Sequence, residues 1–378
     1  MRVGKKSMHR TNLINAEKIV IKIGSRVLLE DNGNPNYFVI AHIVDQLSQL
    51  HKQGKKIIFV SSGAIGAGME ALSLPKRPSD LPTLQAAAAI GQVRLMRAYE
   101  DLFGSHNIMV AQVLLTHEDL KNRARHLNIK NTLNELLKRN VIPIINENDA
   151  VSVDEIKFGD NDVLASLVAM LLEVKALILL TTSLGFMIQK QNGEQEKLSH
   201  IVELNQEILS HIQEHKVGLS SGGMKSKLIA AHNLIHVGGL AIIAPGKEKE
   251  VLLKIFNGEN VGTIVGDPYH DRACKMPGRK RWIAFYNRPC GFLNVDDGAK
   301  IALIKNGKSL LSVGVRHVEG EFAEGDVVAI RDGMGAVFAK GISQMTSQDI
   351  KCYQKENSKK LSKEVVHRDN LVLLKEGF

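Results

Sequence analysis

Aromatic residues are scarce in this chain. They make up 4% of its 378 residues, and the one tryptophan is Trp282. A core with so few rings has to be filled by aliphatic side chains, as in α/β proteins whose buried strands are rich in valine, isoleucine and leucine. Hydrophobic residues account for 44% of the chain, which excludes wholesale disorder. The length is sufficient for two domains.

The cysteine pattern excludes a disulfide scaffold. Cys274, Cys290 and Cys352 form no C-x-x-C pair, and their odd number fits a reducing compartment. The sequence also lacks an apolar run of membrane-spanning length, and its basic start has no apolar segment of the kind found in secretory signals. We therefore expect a cytoplasmic protein without a membrane segment.

Positive charge is concentrated at the two ends. The formal net charge is +9, and residues 1–18 carry five Lys or Arg with one acid, while residues 267–378 carry 19 with 14 acids. A basic end can bind nucleic acid or an anionic membrane, but a solvated tail has the same composition, so both interpretations stay open. We predict a flexible basic extension at 1–16.

Short apolar runs alternate with helical patterns between residues 17 and 266. This alternation predicts an α/β fold with a mostly parallel sheet sandwiched by helices. The predicted strands are 19–23, 56–60, 108–115, 141–145, 176–181 and 240–244, and the predicted helices are 36–53, 83–103, 122–140, 160–174 and 224–237.

The pattern changes after residue 266. Residues 267–278 are polar and contain Pro268, Pro277 and Gly278, which indicates a linker. Short strand-like runs separated by glycines predict a small β-barrel-like domain at 279–357, followed by a tail at 358–378. These runs are 281–286, 293–295, 300–303, 313–318, 327–330 and 336–342.

Polar residues recur where the predicted strands end, which is where α/β sheets bind ligands. The segments are Lys22–Ser25, Ser61–Ala64, Asn146–Asp149 and Thr181-Thr182. Lys22 is the most informative member, because a lysine in an apolar strand is costly unless its charge meets a partner. An anionic ligand and a buried carboxylate are both candidates for that partner.

Two glycine-rich segments are candidates for phosphate binding. Residues 61–68 do not match G-x-G-x-x-G, and the chain has no G-x-x-x-x-G-K-[ST], so the sequence supports neither a Rossmann dinucleotide site nor a P-loop. Residues 220–227 lead into a predicted helix, whose first N–H groups can hold phosphate oxygens beside Lys227. A capped helix with exposed lysines would have the same local sequence.

Asp160 and Asp162 flank Asn161 just before an apolar helical pattern. Aspartate is common as a helix cap, which is one interpretation of this segment. The other interpretation is that these side chains hydrogen-bond a substrate and orient lysines. The same two interpretations apply to 146–149.

Taken together, the motifs resemble the glutamate 5-kinases of the amino-acid kinase family, with a C-terminal PUA domain at about 279–353. The resemblance extends over nearly the whole chain from about residue 17. It rests on IVIKIGSRVL (19–28), VSSGAIGAG (60–68), IPIINENDAV (142–151), IKFGDNDVLASL (156–167), SGGMKSKLIAA (221–231), RKRWI (279–283) and VHRDNL (366–371).

The resemblance implies a role for each matching position. Lys22 and Lys227 would contact the transferred phosphoryl group, and Asp162 would orient both lysines. The backbone of Gly24 and Gly63 would lie around that group. The implied glutamate-binding residues are Ser62, Asp149 and Asn161, with Asn146 and Asp160 close by. The implied ATP-binding residues are Lys22, Thr181, Thr182, Ser221, Gly222, Gly223, Met224, Lys225, Ser226 and Lys227.

The implied reaction is the ATP-dependent phosphorylation of the side-chain carboxylate of L-glutamate to L-glutamyl 5-phosphate, the first step of proline biosynthesis. Mg²⁺ would accompany ATP and be held mostly by its phosphates, with no protein metal site. The resemblance also implies a homo-oligomer, feedback inhibition by proline, a glutamyl-phosphate reductase partner and RNA binding by the PUA domain.

The chain departs from the family pattern on the nucleotide side. Thr182 stands where the family usually has an aspartate, and Arg26 replaces a small residue. Shortly after Thr182 the family tends to have a tyrosine and an Asp-Pro, where this chain has Phe186-Met187 and the polar run Gln189–Glu194. Two other hypotheses stay open. One is a different amino-acid kinase, acting on acetylglutamate or aspartate, and the other is an RNA-binding or regulatory protein whose kinase site has decayed.

Overall fold

The chain divides into two compact units, Met1–Lys275 and Met276–Phe378. The computed structural model describes residue 10 and residues 13–30, 32–152, 161–190, 193–211, 223–235, 237–267, 276–286, 289–355 and 363–374. Within these ranges, each unit has a hydrophobic core of its own. No described helix is both long enough and apolar enough to cross a membrane.

The first unit is built on an eight-stranded sheet with the order β3-β4-β2-β1-β5-β9-β10-β8. The six strands from β3 to β9 pair in parallel, and β10 pairs antiparallel with β9. The prediction of a mostly parallel sheet is confirmed. The strands are β1 Lys18–Ile23, β2 Lys56–Val60, β3 Val110–Leu115, β4 Ile142–Glu147, β5 Ala176–Thr181, β6 Phe186–Gln189, β7 Gln195–Leu198, β8 His200–Ile201, β9 Leu240–Pro245 and β10 Thr263–Val265.

The five predicted helices of this unit are present, with ends within three residues of the predicted ones. Their starts carry ordinary capping signals: Asn36 accepts a hydrogen bond from the N–H of Val39, and Asp80 accepts one from Thr83. The helices are α1 Ser25–Leu28, α2 Tyr37–Lys52, α3 Ala64–Ala71, α4 Leu81–Ser105, α5 His117–Lys121, α6 Arg123–Lys138, α7 Asn161–Leu171, α8 Gln206–Ser210, α9 Met224–Ile235 and α10 Val251–Phe256.

Helices α3 and α4 pack with their backbones in contact, and two glycines make this approach feasible. A Cβ atom on Gly68 would lie 1.7 Å from the carbonyl oxygen of Ala87, and one on Gly91 would lie 1.8 Å from that of Ala64. Such distances are sterically forbidden, so these positions require glycine. The close crossing fixes α4 beside the loop that precedes α3.

The region predicted as a flexible extension contains residues that join the core. Leu13 is buried in the main hydrophobic cluster of the first unit. The guanidinium group of Arg10 is buried and donates hydrogen bonds to the carbonyl oxygen of Val261 and to Asn260. The composition of this segment does not predict the contact of Arg10 with the core, because a basic residue beside apolar ones is equally typical of a solvated tail.

The second unit contains a five-stranded sheet with the order β13-β11-β14-β15-β17, and β12 pairs separately with β16. The strands β16 and β17 lie in the range predicted as a tail, and β17 pairs with β15. The strands are β11 Gly291–Val295, β12 Leu310–Leu311, β13 Val315–Gly320, β14 Val327–Arg331, β15 Val337–Ile342, β16 Glu364–Val366 and β17 Leu371–Leu373.

Two strand predictions in the second unit are wrong. Residues 281–286 continue the short helix α11, Gly278–Arg281, as a π-helical turn at Trp282–Tyr286. Residues 300–303 lie within helix α12, Asp297–Ile304, which begins at a cap where Asp296 accepts a hydrogen bond from the N–H of Ala299. The cap explains the second error, since Asp296 starts a helix that the short apolar run alone does not reveal. The remaining helix is α13, Ser347–Lys355.

Candidate active site

The candidate site lies at the carboxyl end of the parallel sheet. Strands β4, β2, β1 and β5 are neighbours in that order, so the segments that follow them lie side by side at one edge. Lys22 comes from the end of β1, Ser61 and Ser62 follow β2, Asn146 is near the end of β4, and Thr181 ends β5. The polar segments that the sequence places at strand ends therefore lie at one edge of the sheet.

Two lysines converge on the carboxylate of Asp162 at the start of α7. The Nζ atom of Lys22 lies 2.6 Å from Oδ1 of Asp162, and the Nζ atom of Lys227 lies 2.8 Å from Oδ2. Asp162 is fully buried, and each lysine is 5% exposed. The three groups carry a net charge of +1, so the cluster attracts an anion even after the carboxylate has paired both ammonium groups.

The lysines keep Asp162 ionised. Burial by itself raises the pKa of the Asp162 carboxyl, but Lys22 and Lys227 outweigh burial and hold this pKa well below its ordinary value. The hydroxyl of Ser226 also donates a hydrogen bond to Oδ2 of Asp162, at 3.1 Å. Asp162 is therefore ionised at neutral pH and holds two positive groups at one point.

Gly24 contributes space rather than an open N–H group. Its N–H donates to the carbonyl oxygen of Leu180 at 3.2 Å, which ties β1 to β5. A Cβ atom at this position would lie 3.7 Å from the Nζ atom of Lys22. The expected backbone contact of Gly24 with the phosphoryl group stays a prediction, and the lack of a side chain at this position leaves room beside the lysine.

Gly63 has a backbone conformation that favours glycine. Its φ angle is +100°, and it forms the N-cap of α3 immediately after Ser62. The left-handed turn directs the chain from β2 into α3, so Ser62 lies at the strand-to-helix corner. A side chain at position 63 would be strained in this conformation.

A buried network of amide side chains lies behind Ser62. The Nδ2 atom of Asn161 donates to the carbonyl oxygen of Ser61, to Oγ of Ser62 and to Oδ1 of Asn146, at 2.9, 2.9 and 3.0 Å. The Nδ2 atom of Asn146 in turn donates to Oε1 of Gln92 at 2.8 Å. Three of the residues implied in glutamate binding are therefore directly hydrogen-bonded to one another.

Tyr99 supports the same corner from α4. Its hydroxyl forms a 2.8 Å hydrogen bond with Oγ of Ser61, and its ring meets Phe59 edge-on, with the centroids 5.4 Å apart. Burial raises the pKa of the Tyr99 hydroxyl well above its ordinary value, so the group stays protonated. Tyr99 thus fixes Ser61 without adding charge to the site.

Asp149 is half-buried and follows β4 after Asn146. It has a charged neighbour in Arg77, which lies in the loop between α3 and α4: partial burial lowers the pKa of the Arg77 guanidinium, and the carboxylate of Asp149 raises it. A carboxylate beside a guanidinium offers one group of each sign to a zwitterionic amino acid.

The nucleotide side is described in part. Thr181 is half-buried, and its carbonyl oxygen accepts a hydrogen bond from Gly246, whereas Thr182 is exposed. Gly223 precedes α9, which begins with Met224, Lys225, Ser226 and Lys227. Ser226 and Lys227 reach Asp162, so the predicted link between this helix and Lys22 is confirmed. The predicted residues Asp160, Ser221 and Gly222 lie outside the described residues.

Sequence reasoning missed Gln92, Tyr99 and Arg77. Gln92 has a recognisable signal, because it interrupts the apolar face of α4 formed by Ala88, Leu95 and Tyr99 at helical spacing. A glutamine in that stripe has to find a polar partner inside the protein. Arg77 lies in a proline-containing loop and carries no comparable signal.

Comparison with known proteins places this site in a defined class. Residues 17–243 match the amino acid kinase family and residues 291–365 match the PUA domain. The chain therefore belongs to the amino acid kinase family.

The chain is similar to glutamate 5-kinases over nearly its whole length. The chain is 41% identical over 375 residues to the glutamate 5-kinase of Syntrophus aciditrophicus, with 96% of each chain covered. It is 40% identical over 377 residues to that of Geobacter sp. strain M21, covering 97% of this chain and all of the relative. Among solved structures, the carbamate kinase of Giardia lamblia bound to AMP-PNP aligns at 21% identity, with a TM-score of 0.47, over 67% of this chain and all of that one.

Proposed function

We propose that the chain phosphorylates the side-chain carboxylate of L-glutamate with ATP and forms L-glutamyl 5-phosphate, the first step of proline biosynthesis. The observation that carries this proposal is the pair of buried lysines held on Asp162 at the carboxyl end of the sheet. The identity to glutamate 5-kinases over nearly the full chain supports glutamate as the acceptor.

The chemistry fits a site without a general base. A glutamate side chain has an ordinary pKa of about 4.3, so the acceptor is already ionised at neutral pH. One carboxylate oxygen attacks the γ-phosphorus of ATP, the bond from that phosphorus to the bridging oxygen breaks, and ADP leaves with the electron pair. The main obstacle is the approach of two anions, which positioning and positive charge overcome.

Lys22 and Lys227 supply that charge from opposite sides of one anchor. Because Asp162 pairs with both Nζ atoms, the lysines are held together before any ligand binds, and little reorganisation is needed during the reaction. Ser62, Asn146, Asn161 and Asp149 would hold the glutamate.

Mg²⁺ would be carried mainly by the nucleotide. The described residues contain no group of three or more His, Cys, Asp or Glu side chains suited to a metal. Asp162 is also committed to two lysines. This donor set fits an ion held chiefly by ATP phosphates, as Mg²⁺ usually is in phosphoryl-transfer sites. The ion would neutralise phosphate charge while the lysines act on the transferred group.

The resemblance to glutamate 5-kinases leads us to extend the proposal to regulation and partners. We propose a homo-oligomer, inhibition by proline at or overlapping the glutamate site, delivery of the acyl phosphate to a glutamyl-phosphate reductase, and RNA binding by the PUA domain. The reactive product supports the reductase partner, because an acyl phosphate hydrolyses readily in water.

The test is glutamate-dependent ADP formation, with the acyl phosphate trapped by hydroxylamine as a hydroxamate. We expect turnover with glutamate and a loss of at least roughly a hundredfold in Lys227→Ala. Lys254→Ala, which removes an ion pair with Glu248, is the control and should keep normal turnover. Activity with acetylglutamate or aspartate instead would favour a different amino-acid kinase, and no ATP turnover with any acceptor would favour a decayed site.

A further inference from the structure

Gln92 lies in the middle of α4, away from every motif that the sequence singles out. It is 8% exposed, and its Oε1 atom accepts the 2.8 Å hydrogen bond from Nδ2 of Asn146. Its Nε2 atom is buried and has no hydrogen-bond partner among the described residues. The close crossing of α3 and α4 at Gly91 fixes the position of this side chain.

The unpartnered Nε2 atom argues against a purely structural role. A buried donor without a partner destabilises a fold; methionine or leucine would fill similar space and avoid this cost at position 92, but would leave the Nδ2 atom of Asn146 without its acceptor. The neighbouring residues on this face of α4, Ala88, Leu95 and Tyr99, already form an apolar surface that such a side chain would extend. The contact that distinguishes glutamine from these alternatives is the one to Asn146.

Backbone groups fix the direction of every amide in the network. The carbonyl oxygen of Ser61 can only accept, so Asn161 must turn its Nδ2 atom towards it. The N–H of Glu147 can only donate, and it donates to Oδ1 of Asn146 at 2.9 Å. Asn146 therefore turns its Nδ2 atom towards Gln92, which has to present an acceptor.

The network ends at an acceptor. With its Nδ2 atom used three times, Asn161 retains Oδ1, which is buried and has no hydrogen-bond partner among the described residues. A carbonyl oxygen suits the ammonium group of an amino acid and does not suit a carboxylate. The direction of the Asn161 amide thus determines which end of the substrate it can receive.

We propose that Gln92 is a positioning residue of the glutamate site. It anchors Asn146, and through Asn146 it holds Asn161 so that the Oδ1 atom faces the substrate ammonium group. This inference rests on the proposed function, because it assumes that glutamate occupies the space beside Ser62 and Asn161. Gln92 itself does not touch the reacting atoms.

The first measurement compares Gln92→Met with Gln92→Glu in the full chain. Methionine removes the acceptor for Asn146 at similar volume, so we expect KM for glutamate to rise roughly tenfold, with kcat and KM for ATP changed less than about threefold. The side chain of the Gln92→Glu variant retains an acceptor oxygen, whether or not it is protonated. This variant should therefore keep KM for the substrate glutamate within about threefold of the natural chain.

The second measurement tests whether Gln92→Met weakens only the contact with the substrate ammonium group, or also the binding of the carboxylates. Glutarate has both carboxylates of glutamate but no ammonium group, so it competes for the site without using Oδ1 of Asn161. In Gln92→Met, the inhibition constant of glutarate should change less than about twofold while KM for glutamate rises. Equal losses for both ligands would contradict the proposal.

Gln46 provides a matched structural control. It is a buried glutamine in α2 that uses both ends of its amide, with Nε2 donating to the carbonyl oxygen of His42 and Oε1 accepting from the N–H of Leu252. Gln46→Met should lower the melting temperature and leave KM for glutamate unchanged. Gln92→Met, which leaves the Nδ2 atom of Asn146 without its acceptor, should raise KM for glutamate whether or not its melting temperature also falls.

Each outcome separates this inference from the proposed function. A natural chain that phosphorylates glutamate, together with a Gln92→Met variant of unchanged KM, overturns the inference alone. If Gln92→Met does not fold, Gln92→Glu decides, because a tenfold rise in its KM would show that the acceptor is not what matters. A natural chain that neither binds glutamate in calorimetry nor phosphorylates it overturns both.

Discussion

The Nζ atom of Lys22 lies 2.6 Å from Oδ1 of Asp162, so the end of β1 is tied to the start of α7 by a buried ion pair. An apolar strand can contain this lysine because the carboxylate meets its charge. The sequence left two partners open for Lys22, an anionic ligand and a buried carboxylate. The carboxylate is the partner within the chain, and the excess positive charge leaves the cluster able to bind an anion.

Replacing Asp162 by asparagine should destabilise the protein strongly at neutral pH. The change leaves two buried ammonium groups without their anion, which typically costs about 3–5 kcal/mol in the free energy of unfolding. Urea unfolding at pH 7 measures this loss. Asp101→Asn, on an exposed carboxylate 3.9 Å from Arg97, should change the free energy of unfolding by less than about 0.5 kcal/mol.

The effect of Asp162→Asn should also depend on pH. The pKa of Asp162 is lowered in the folded protein from an ordinary value of 3.8, so its stabilising contribution is complete above that value and is lost as pH falls through the folded-state pKa. The difference in unfolding free energy between the natural chain and Asp162→Asn should therefore narrow below pH 3.8. A difference that stays constant down to pH 2.5 would contradict the ion-pair assignment, because it would mean that the pKa of Asp162 is not lowered in the folded protein.

Lys22→Met should nearly abolish turnover, since it removes the positive charge that we propose to contact the transferred phosphoryl group. We expect a loss of roughly a hundredfold or more in kcat. The same strand offers a control, because Lys18 lies at its opposite end and donates to the carbonyl oxygen of Leu172. Lys18→Met should retain nearly normal kcat, and equal losses in both variants would indicate damage to β1 instead of a catalytic effect.

Asp149→Ala should mainly weaken glutamate binding. A carboxylate at this position can accept charge-assisted hydrogen bonds from the substrate ammonium group, and its loss should raise KM for glutamate by roughly tenfold or more. Steady-state kinetics at saturating ATP measure the effect. The control is Asp45→Ala, which removes an exposed partner of His106. The role of Asp149 is wrong if its KM matches that of the control.

Thr182→Asp should tighten ATP binding with little change for glutamate. A carboxylate forms charge-assisted hydrogen bonds about twice as strong as those of a hydroxyl. The hydroxyl of the neighbouring Ser183 does not take the place of the missing carboxylate, since it already donates to the carbonyl oxygen of Gly185 at 2.6 Å. Calorimetric titration should show that the Thr182→Asp variant binds ATP more tightly than the natural chain does. Thr182→Asn tests whether charge or shape is responsible, and equal affinities throughout would make this departure neutral.

A shortened chain ending near Asp267 should fold and keep kinase activity. Every described residue of the candidate site precedes this point, and the first unit has its own hydrophobic core. Melting temperature and the hydroxamate assay test folding and chemistry separately. A folded but inactive shortened chain would show that the second unit is needed for the reaction.

The α/β architecture and most of the site could be predicted from the sequence because strand-end polar residues and helix periodicity are local signals. The pairing of Lys22 and Lys227 with Asp162 came from the family resemblance and is confirmed by the geometry. Gln92 was missed because its importance depends on Asn146, which lies 54 residues away. The helix at Asp297–Ile304 was missed because a short apolar run fits either kind of element.

The position of Lys227 on α9 has a consequence for synthesis of the chain. Lys227 follows Asp162 by 65 residues, so at about 5–20 residues per second the ribosome needs roughly 3–13 s to add it after Asp162 has been made. During that interval Asp162 can form an ion pair with at most one of its two lysines. The strand β9, which pairs with β5, has not yet been made. The cluster of charges that we propose for phosphoryl transfer is therefore completed only once α9 has been made.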